Sequence, residues 1–511
     1  MAEEKKSYLY KLKPIIDRWP AIRKPEGHVT FRTKMFWTIL CLVIYFILTN
    51  VMIFGLKTDI IDLFANYRFI MAGASGSIMH LGIGPIVTAS IIMQLFVGAK
   101  IINLDLQNSD DKAIYQGTQK VLVVVMIVVE AIPQIFGYLE PTSGLVNAVG
   151  GTGASFVIII QLIIGAIIVW FMDELISKWG IGSGISLFIA AGVSQALFTG
   201  IFNWLPVRGG IVSMSNPPAG VIPGTYYLAS NMNLNQLVNG GGYQSIFLGA
   251  PNIGYSNSII ALLGTLFIFF LVVYLESSRI ELPLAHGRVR GARGRYPIRL
   301  IYASNIPVIL MSALLANVNM FAMLLWQSDL PLLGNQWWIG KYDLTASTQA
   351  LAGGAWYLSS PGGINSWLIP IFSGGFGGHA PWQFALKVVV YLAVLIIGSI
   401  LFAKFWIETT NMGPRDVARQ IQSSGMQIPG FRRDPRVLRK VLERYIPIVT
   451  VIGGAIVGAV AGFADAIGTV GNASGTGVLL TVGIIIRLYE DIAKEQAMEM
   501  HPVLRGFFGN E

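Results

Sequence analysis

Hydrophobic stretches separated by polar connections recur along the whole chain. The first, 35–56, carries no charge over 22 residues, which is enough for a helix rising about 1.5 Å per residue to cross a hydrocarbon core of about 30 Å. Nine further apolar stretches lie at 76–99, 117–139, 153–172, 184–203, 257–275, 300–328, 384–403, 445–464 and 474–486. The pattern therefore predicts ten membrane-spanning helices.

Composition places the chain in the same class. Of its 511 residues, 54% are hydrophobic and only 12% are charged, against about 25% charged in soluble domains. A polar segment, 1–34, precedes the first span, so no cleavable signal peptide is expected. Because Cys41 is the only cysteine, neither an intrachain disulfide nor a cysteine-based metal site is expected, and no cofactor is predicted.

The basic residues predict the orientation, because cytoplasmic connections retain an excess of lysine and arginine. All but five of the 36 lysine and arginine residues fall on the side that carries both termini. Both termini are therefore predicted to be cytoplasmic. The five exceptions are Lys57, Arg68, Arg208, Lys341 and Lys387, of which Lys387 lies in the eighth span and is expected to extend to the interface.

The connections differ in character. Residues 1–34 mix basic and apolar side chains at a spacing that suits a helix in the membrane interface, or else form a solvated tail that only supplies charge. The external connection 204–256 is rich in Gly, Asn, Pro and Ser and is predicted to be irregular, and 329–383 is a second long external loop. The connections 276–299 and 404–444 cluster arginines, which suit docking on phosphate as well as setting topology.

Several spans are interrupted by glycine or proline, and they occur in pairs. The second span contains 82–90 (GIGPIVTAS) and the seventh contains 304–309 (SNIPVI). Likewise, 182–185 (GSGI) opens the fifth span and 475–480 (GTGVLL) opens the tenth. Irregular backbone at membrane depth is tolerated beside protein or a water-filled cavity. Because five is an odd number, matching positions in two sets of five predict an inverted repeat around a central pathway.

Two local features leave alternatives open. Glu130 in the third span is expected to face protein or water, or to be held neutral by a hydrogen bond between helices. After the first span, 58–64 is typical of a short re-entrant or surface helix, and 73–76 (GASG) of a flexible hinge. The same GASG stretch fits a serine-protease pattern, for which His80 is the nearest histidine.

Five motifs in this order resemble the SecY protein-translocation channel family in its archaeal form. They are 81–89 (LGIGPIVTA), 180–185 (GIGSGI), 283–288 (PLAHGR), 302–310 (YASNIPVIL) and 475–481 (GTGVLLT). The resemblance runs through the whole chain. It implies an all-α membrane protein in which ten helices form two inverted five-helix halves around an hourglass pore. The implied function is that of the central, non-enzymatic subunit of the translocase, a passive polypeptide-conducting channel for secretion across the cytoplasmic membrane and lateral insertion into it.

The resemblance also implies a division of the chain. Its parts are an N-terminal segment 1–34, a first half 35–203 with a plug near 58–72, an external loop 204–256, a second half 257–493 and a tail 494–511. The implied pore ring is Ile83, Val87, Ile185, Ile189, Ile309 and Leu480. The implied lateral gate is Thr88, Glu130 and Asn317, and the implied ribosome-docking residues are Arg288, Arg290, Arg293, Arg295, Arg432 and Arg433.

The implied partners are two small membrane subunits of the SecE/gamma and beta kinds, the ribosome with its nascent polypeptide, signal sequences and membrane lipid. A secondary transporter with inverted repeats is the alternative. Such a transporter needs polar binding groups at the membrane midplane, whereas the predicted ring is aliphatic. An intramembrane protease is the third class considered, and it depends on Ser75 and His80.

Overall fold

The computed structural model describes residues 8–500 except 28, 58–71, 107, 138, 208–209, 239–241, 250–257, 287–292, 304, 328–333, 335, 343–349, 411, 424–425, 428–434 and 472. Within this part of the chain, eight helices are long and apolar enough to cross a membrane. They are α2 (Phe31–Asn50), α4 (Ser109–Gly137), α6 (Gly151–Trp179), α7 (Gly184–Phe202), α11 (Ile259–Ser277), α12 (Ile306–Gln327), α15 (Pro381–Thr409) and α17 (Pro435–Ile467).

Two further helices complete the predicted ten. The second span is α3 (Gly84–Gly98), with only 15 residues, and the tenth is the first part of α18 (Gly475–Met500). Residues 76–83, predicted as part of the second span, form turns instead. Pro85 lies in the first turn of α3, where its missing N–H costs no hydrogen bond. The ten-helix, all-α fold is confirmed, with a shorter second helix than the hydropathy predicts.

Several boundaries differ from the predicted ones. The first span ends at Asn50, although the apolar stretch continues to 56. At the other end of the chain, α17 begins ten residues before the predicted ninth span, and α18 continues to Met500, past the predicted start of the tail at 494. Hydropathy marks only the part of a helix that lies in lipid, so polar extensions of the same helix are invisible to it.

The N-terminal segment is neither one long interfacial helix nor a free tail over its described residues. A 3₁₀ turn (Tyr8–Leu12) leads into α1 (Lys13–Ile16). This short element packs on the start of α4, where Ile16 lies against Gly117 and the Tyr10 hydroxyl donates to the Asp111 carboxylate. That hydrogen bond raises the pKa of Tyr10 to about 12.

The connections predicted to be external contain regular structure. Between the fifth and sixth spans lie α8 (Val221–Asn231), α9 (Leu234–Val238) and α10 (Gly242–Leu248), where an irregular loop was predicted. The short helix α5 (Ser143–Val149) precedes the fourth span, and α13 (Gly354–Leu358) and α14 (Ile364–Phe372) precede the eighth. Lys387, predicted to reach the interface, is buried and places its ammonium 4.8 Å from the centre of the Trp356 ring of α13.

The two arginine-rich connections meet in a small sheet. Strands β1 (Arg279–His286) and β2 (Arg293–Arg299) form an antiparallel hairpin with Arg279 opposite Arg299. After α16 (Pro414–Ser423), the short strand β3 (Met426–Gln427) pairs with the end of β1, so the strand order is β2-β1-β3. The sheet therefore holds the connection 404–444 against the connection 276–299.

Candidate pore and gate

The six predicted ring residues come from four helices and share one apolar core. Ile83 immediately precedes α3 and Val87 lies one turn into it, while Ile185 and Ile189 lie one turn apart on α7. Five of the six expose at most 7% of their surface, and Ile185 is partly exposed. All six belong to the central apolar cluster or pack against it, the other two being Ile309 of α12 and Leu480 of α18.

Ile83 owes its position to an unusual stretch of backbone before α3. Gly82 adopts φ +52°, a left-handed conformation that favours glycine. The His80 side chain accepts a hydrogen bond from the Gly76 amide through Nδ1 at 2.9 Å. Two backbone bonds, from Ile78 to Val51 and from Ile53 to Gly76, tie this stretch to the end of α2. The sequence predicts a flexible hinge at 73–76, and the structure surrounds it with hydrogen bonds.

The serine-protease pattern does not form a catalytic pair. His80 is buried and uses Nδ1 for the Gly76 amide, and the Ser75 hydroxyl has no hydrogen-bond partner among the residues that the structure describes. A nucleophilic serine requires a base within hydrogen-bond reach. The pattern at 73–76 therefore has a structural role.

The three predicted gate residues converge where α3, α4 and α12 meet. The Asn317 side-chain amide of α12 donates to the Thr88 hydroxyl of α3 at 3.1 Å, and Thr88 donates to the Gly84 carbonyl at 3.0 Å. The Glu130 carboxyl of α4 is buried beside Thr88 and Gly84. Its Oε1 has no hydrogen-bond partner in the described part of the chain. The Asn317–Thr88 hydrogen bond thus joins a helix of the first half to a helix of the second half.

Other predicted sites fall partly outside the described residues. The plug prediction, 58–72, is described only at Ala72, whose carbonyl accepts a hydrogen bond from the Tyr45 hydroxyl at 2.9 Å. Arg288, Arg290, Arg432 and Arg433 lie outside the described residues, and the backbone of Arg293 and Arg295 forms part of β2.

Two carboxylates without a predicted role bind the start of the fifth helix in each half. Asp173 near the end of α6 accepts from the Ile185 amide at 2.9 Å, and Asp465 near the end of α17 accepts from the Thr476 amide at 3.0 Å. In the sequence, each carboxylate stands ten or eleven residues before the glycine that opens the next span. That spacing is the signal that could have identified them.

Each half also holds one carboxylate between two basic side chains. In the first half, Glu174 binds Lys120 and, at 2.7 Å, Lys178. In the second half, Glu490 of α18 lies 2.5 Å from Arg299 and 3.6 Å from Arg279, at the base of the β1–β2 hairpin. The second cluster thereby links the connection 276–299 to α18, the helix that carries the ring residue Leu480.

Comparison with known proteins places this geometry in a family. A family model described as SecY matches residues 77–489, and a model described as the plug domain of Sec61p matches residues 43–76. The protein translocase subunit SecY of Archaeoglobus fulgidus is 46% identical, with 99% of each chain covered.

Solved structures agree with these matches. A structure described as a protein conducting channel has a TM-score of 0.74 at 38% identity, covering 96% of this chain and 98% of the other. Sec61 in the canine ribosome–channel complex from the endoplasmic reticulum has a TM-score of 0.71 at 38% identity with the same coverage. The predicted plug, 58–72, lies inside the segment that the plug model matches.

Proposed function

This chain belongs to the SecY family and is a protein-conducting channel with a plug domain, and we propose that six aliphatic side chains form its central seal. They are Ile83, Val87, Ile185, Ile189, Ile309 and Leu480. The observation that carries this proposal is that residues from four helices and both halves share one uncharged core. Membership of the family leaves the transporter alternative without support.

An aliphatic ring suits a channel that must pass many different polypeptides. A narrow hydrophobic constriction resists ions by dewetting, because an ion cannot keep its hydration shell there. The side chains of isoleucine, valine and leucine carry no hydrogen-bonding group, so they can contact a passing chain without requiring particular partners. The seal therefore excludes small ions at rest and imposes no specificity on the polypeptide, and the process requires no catalytic group.

Thr88, Glu130 and Asn317 form the lateral gate in this proposal. The Asn317–Thr88 bond between α12 and α3 supports it, since hydrogen bonds within membrane proteins contribute only about 0.6 kcal/mol on average. A signal sequence that enters lipid recovers about 25 cal/mol per Å² of its apolar surface. Burial of a few hundred Å² therefore exceeds the cost of breaking this contact.

The plug near 58–72 closes the channel below the ring in the resting state. Support comes from the plug match and from the Tyr45–Ala72 hydrogen bond, which holds the end of that segment against α2. A disulfide that tethers position 64 to the ring should block transport. Normal transport with the tether formed would reject this placement.

The connections 276–299 and 404–444 dock the ribosome, through Arg288, Arg290, Arg293, Arg295, Arg432 and Arg433. The sheet that joins the two connections and the likeness to a channel from a ribosome complex support this assignment. The family resemblance implies that small SecE/gamma-type and beta-type subunits complete the complex in the cytoplasmic membrane. The excess of lysine and arginine on the side of both termini supports a cytoplasmic position for both ends. The substrates of the channel are nascent chains and signal sequences, which it passes outward or releases into lipid.

Cross-linking of a stalled nascent secretory chain tests the seal most directly. A photoreactive residue at 83, 87 or 309 should react with the chain, whereas one at Ile86, which is equally buried on α3, should react much less. In planar bilayers, replacing several ring residues with Ser should raise the resting ion conductance, and Ile86→Ser should not. Equal behaviour of ring and control positions would remove these residues from the constriction.

Ribosome docking has a separate test. Charge reversal at Arg288 and Arg432 should weaken ribosome binding and make its salt dependence shallower, because fewer phosphate contacts remain to release counterions. Lys440→Glu serves as the control, since it makes the same kind of charge reversal on the same predicted face at a residue outside the proposed docking set. Undiminished ribosome binding at near-physiological salt would contradict the assignment.

A further inference from the structure

Two carboxylates occupy equivalent places in the inverted halves. Asp173 accepts a hydrogen bond from the backbone of Ile185, and Asp465 accepts from both the backbone and the hydroxyl of Thr476, the latter at 2.7 Å. Each carboxylate therefore binds the first turn of the following helix. Amides there lack an acceptor within the helix, and the helix dipole favours a negative charge.

The glycines that open α7 and α18 let the start of each helix lie close to its carboxylate. A Cβ on Gly184 would lie 2.6 Å from the Cα of Asp173, and a Cβ on Gly475 would lie 2.2 Å from the carbonyl carbon of Ala464. Backbone therefore packs directly on backbone at both junctions. Because of this contact, each carboxylate has little room to move with the helix that it binds, α7 or α18, if that helix shifts.

These anchors lie next to ring residues. Ile185 is itself in the proposed ring, and its own amide is the donor to Asp173. Ile189 follows one turn later on the same helix. In the other half, Leu480 follows Thr476 by one turn, and residues four apart share a helix face. The anchored atoms are thus at most one turn from the side chains that line the proposed seal.

We propose that Asp173 and Asp465 are positioning residues that set the height and rotation of the ring side chains on α7 and α18. They determine how tightly the closed channel excludes ions. This inference rests on the proposed ring. Because the repeat is inverted, the two carboxylates act from opposite sides of the membrane, Asp173 from the predicted cytoplasmic side and Asp465 from the external side.

Resting ion conductance of the intact complex in planar bilayers tests the proposal. Asp173→Asn and Asp465→Asn keep the side-chain shape but remove the negative charge from the helix start, and Asp465→Asn also places an NH₂ group against a donor. Each should raise the conductance about three- to tenfold. Glu174→Gln is the matched control. Glu174 is the next residue on the same helix and is also buried, but it binds Lys120 and Lys178 rather than α7. This control should lower the melting temperature of the complex without changing its resting conductance.

The outcomes separate positioning from stability alone. Lower melting temperatures with unchanged conductance in both Asn variants would overturn the proposal. If Asp465→Asn fails to assemble, Thr476→Val removes one donor and leaves the carboxylate in place, so a conductance increase supports the proposal and unchanged conductance overturns it. Leu480→Gly provides the reference for the ring. If Leu480→Gly raises the conductance and the anchor variants do not, the proposed ring is supported and the proposed role of the two carboxylates is rejected. If Leu480→Gly does not raise the conductance, both proposals are rejected.

Discussion

In the first half, Asp173 binds the backbone at the start of α7, whereas in the second half Asp465 binds the Thr476 amide, the Thr476 hydroxyl and, at 2.8 Å, the Tyr391 hydroxyl of α15. The same position in the repeat thus joins two helices in one half and three in the other. A buried carboxylate with more donors is more strongly held. The inverted halves share a design, but the second half is tied together more tightly around its last helix.

The two clusters in which a carboxylate lies between basic side chains show the reverse difference, because here the first half has the more buried carboxylate. The Glu174 side chain exposes 7% of its surface and the Glu490 side chain 28%. Ion pairs near solvent contribute little because water and salt screen them, whereas removal of one partner from a buried pair leaves an uncompensated charge. The first half therefore depends more on its ion pairs, and the second half more on its buried hydroxyl–carboxylate network.

Removal of the two anchors should give the largest contrast between the halves. Asp465→Ala leaves three donors without their acceptor and should lower the free energy of unfolding of the complex by about 2–4 kcal/mol, against about 1–2 kcal/mol for Asp173→Ala. Thermal melting of the solubilised complex measures both. Equal losses would show that the extra donors of the second half contribute nothing.

Close helix contacts should give the next largest effect. A Cβ on Gly165 would lie 1.9 Å from the backbone carbonyl of Ile78, and a Cβ on Gly483 would lie 1.9 Å from the side-chain amide of Asn305. A side chain can move aside and a packed backbone cannot. Gly165→Ala should therefore cost about 1–3 kcal/mol in unfolding free energy and Gly483→Ala about 1 kcal/mol. A larger loss of unfolding free energy for Gly483→Ala than for Gly165→Ala would contradict a rigid turn before α3.

The difference in stability between the two ion-pair clusters should be smaller. Glu174→Gln should lower the unfolding free energy by about 1–2 kcal/mol, whereas Glu490→Gln should cost less than about 1 kcal/mol. Melting curves at low and high salt provide the measurement. The effect of Glu490→Gln should shrink as salt rises, because its pairs are the more exposed. A stronger salt dependence for Glu174→Gln would reverse the comparison.

The bond between the halves should show the smallest effect. Thr88→Val and Asn317→Leu together form a double-mutant cycle with an expected coupling of about 0.6 kcal/mol. Export of a substrate with a weakened signal sequence should rise about two- to threefold when either partner is replaced, since the closed gate is less stable. Zero coupling in the cycle would mean that the Asn317–Thr88 contact does not hold the halves together.

The ten spans, their order and the inverted repeat were predicted from sequence and agree with the fold. The apolar ring candidates were predicted to lie inside, and five of them are buried. The predictions failed where helices extend beyond lipid, as at Met500, and where irregular backbone replaces helix, as at 76–83. The helices of the connection 204–256 were also missed, because they are short and their sequence is rich in Gly and Pro.

Sequence alone determined how many times this chain crosses the membrane and predicts which face carries its basic residues, because length, hydropathy and charge are local quantities. Only the tertiary structure decided which polar groups meet. Asn317 and Thr88 stand 229 residues apart, and nothing in either local pattern selects the other. The same holds for the Tyr391 hydroxyl and Asp465. Such pairs depend on the depth and rotation of packed helices, and these are set by the whole molecule.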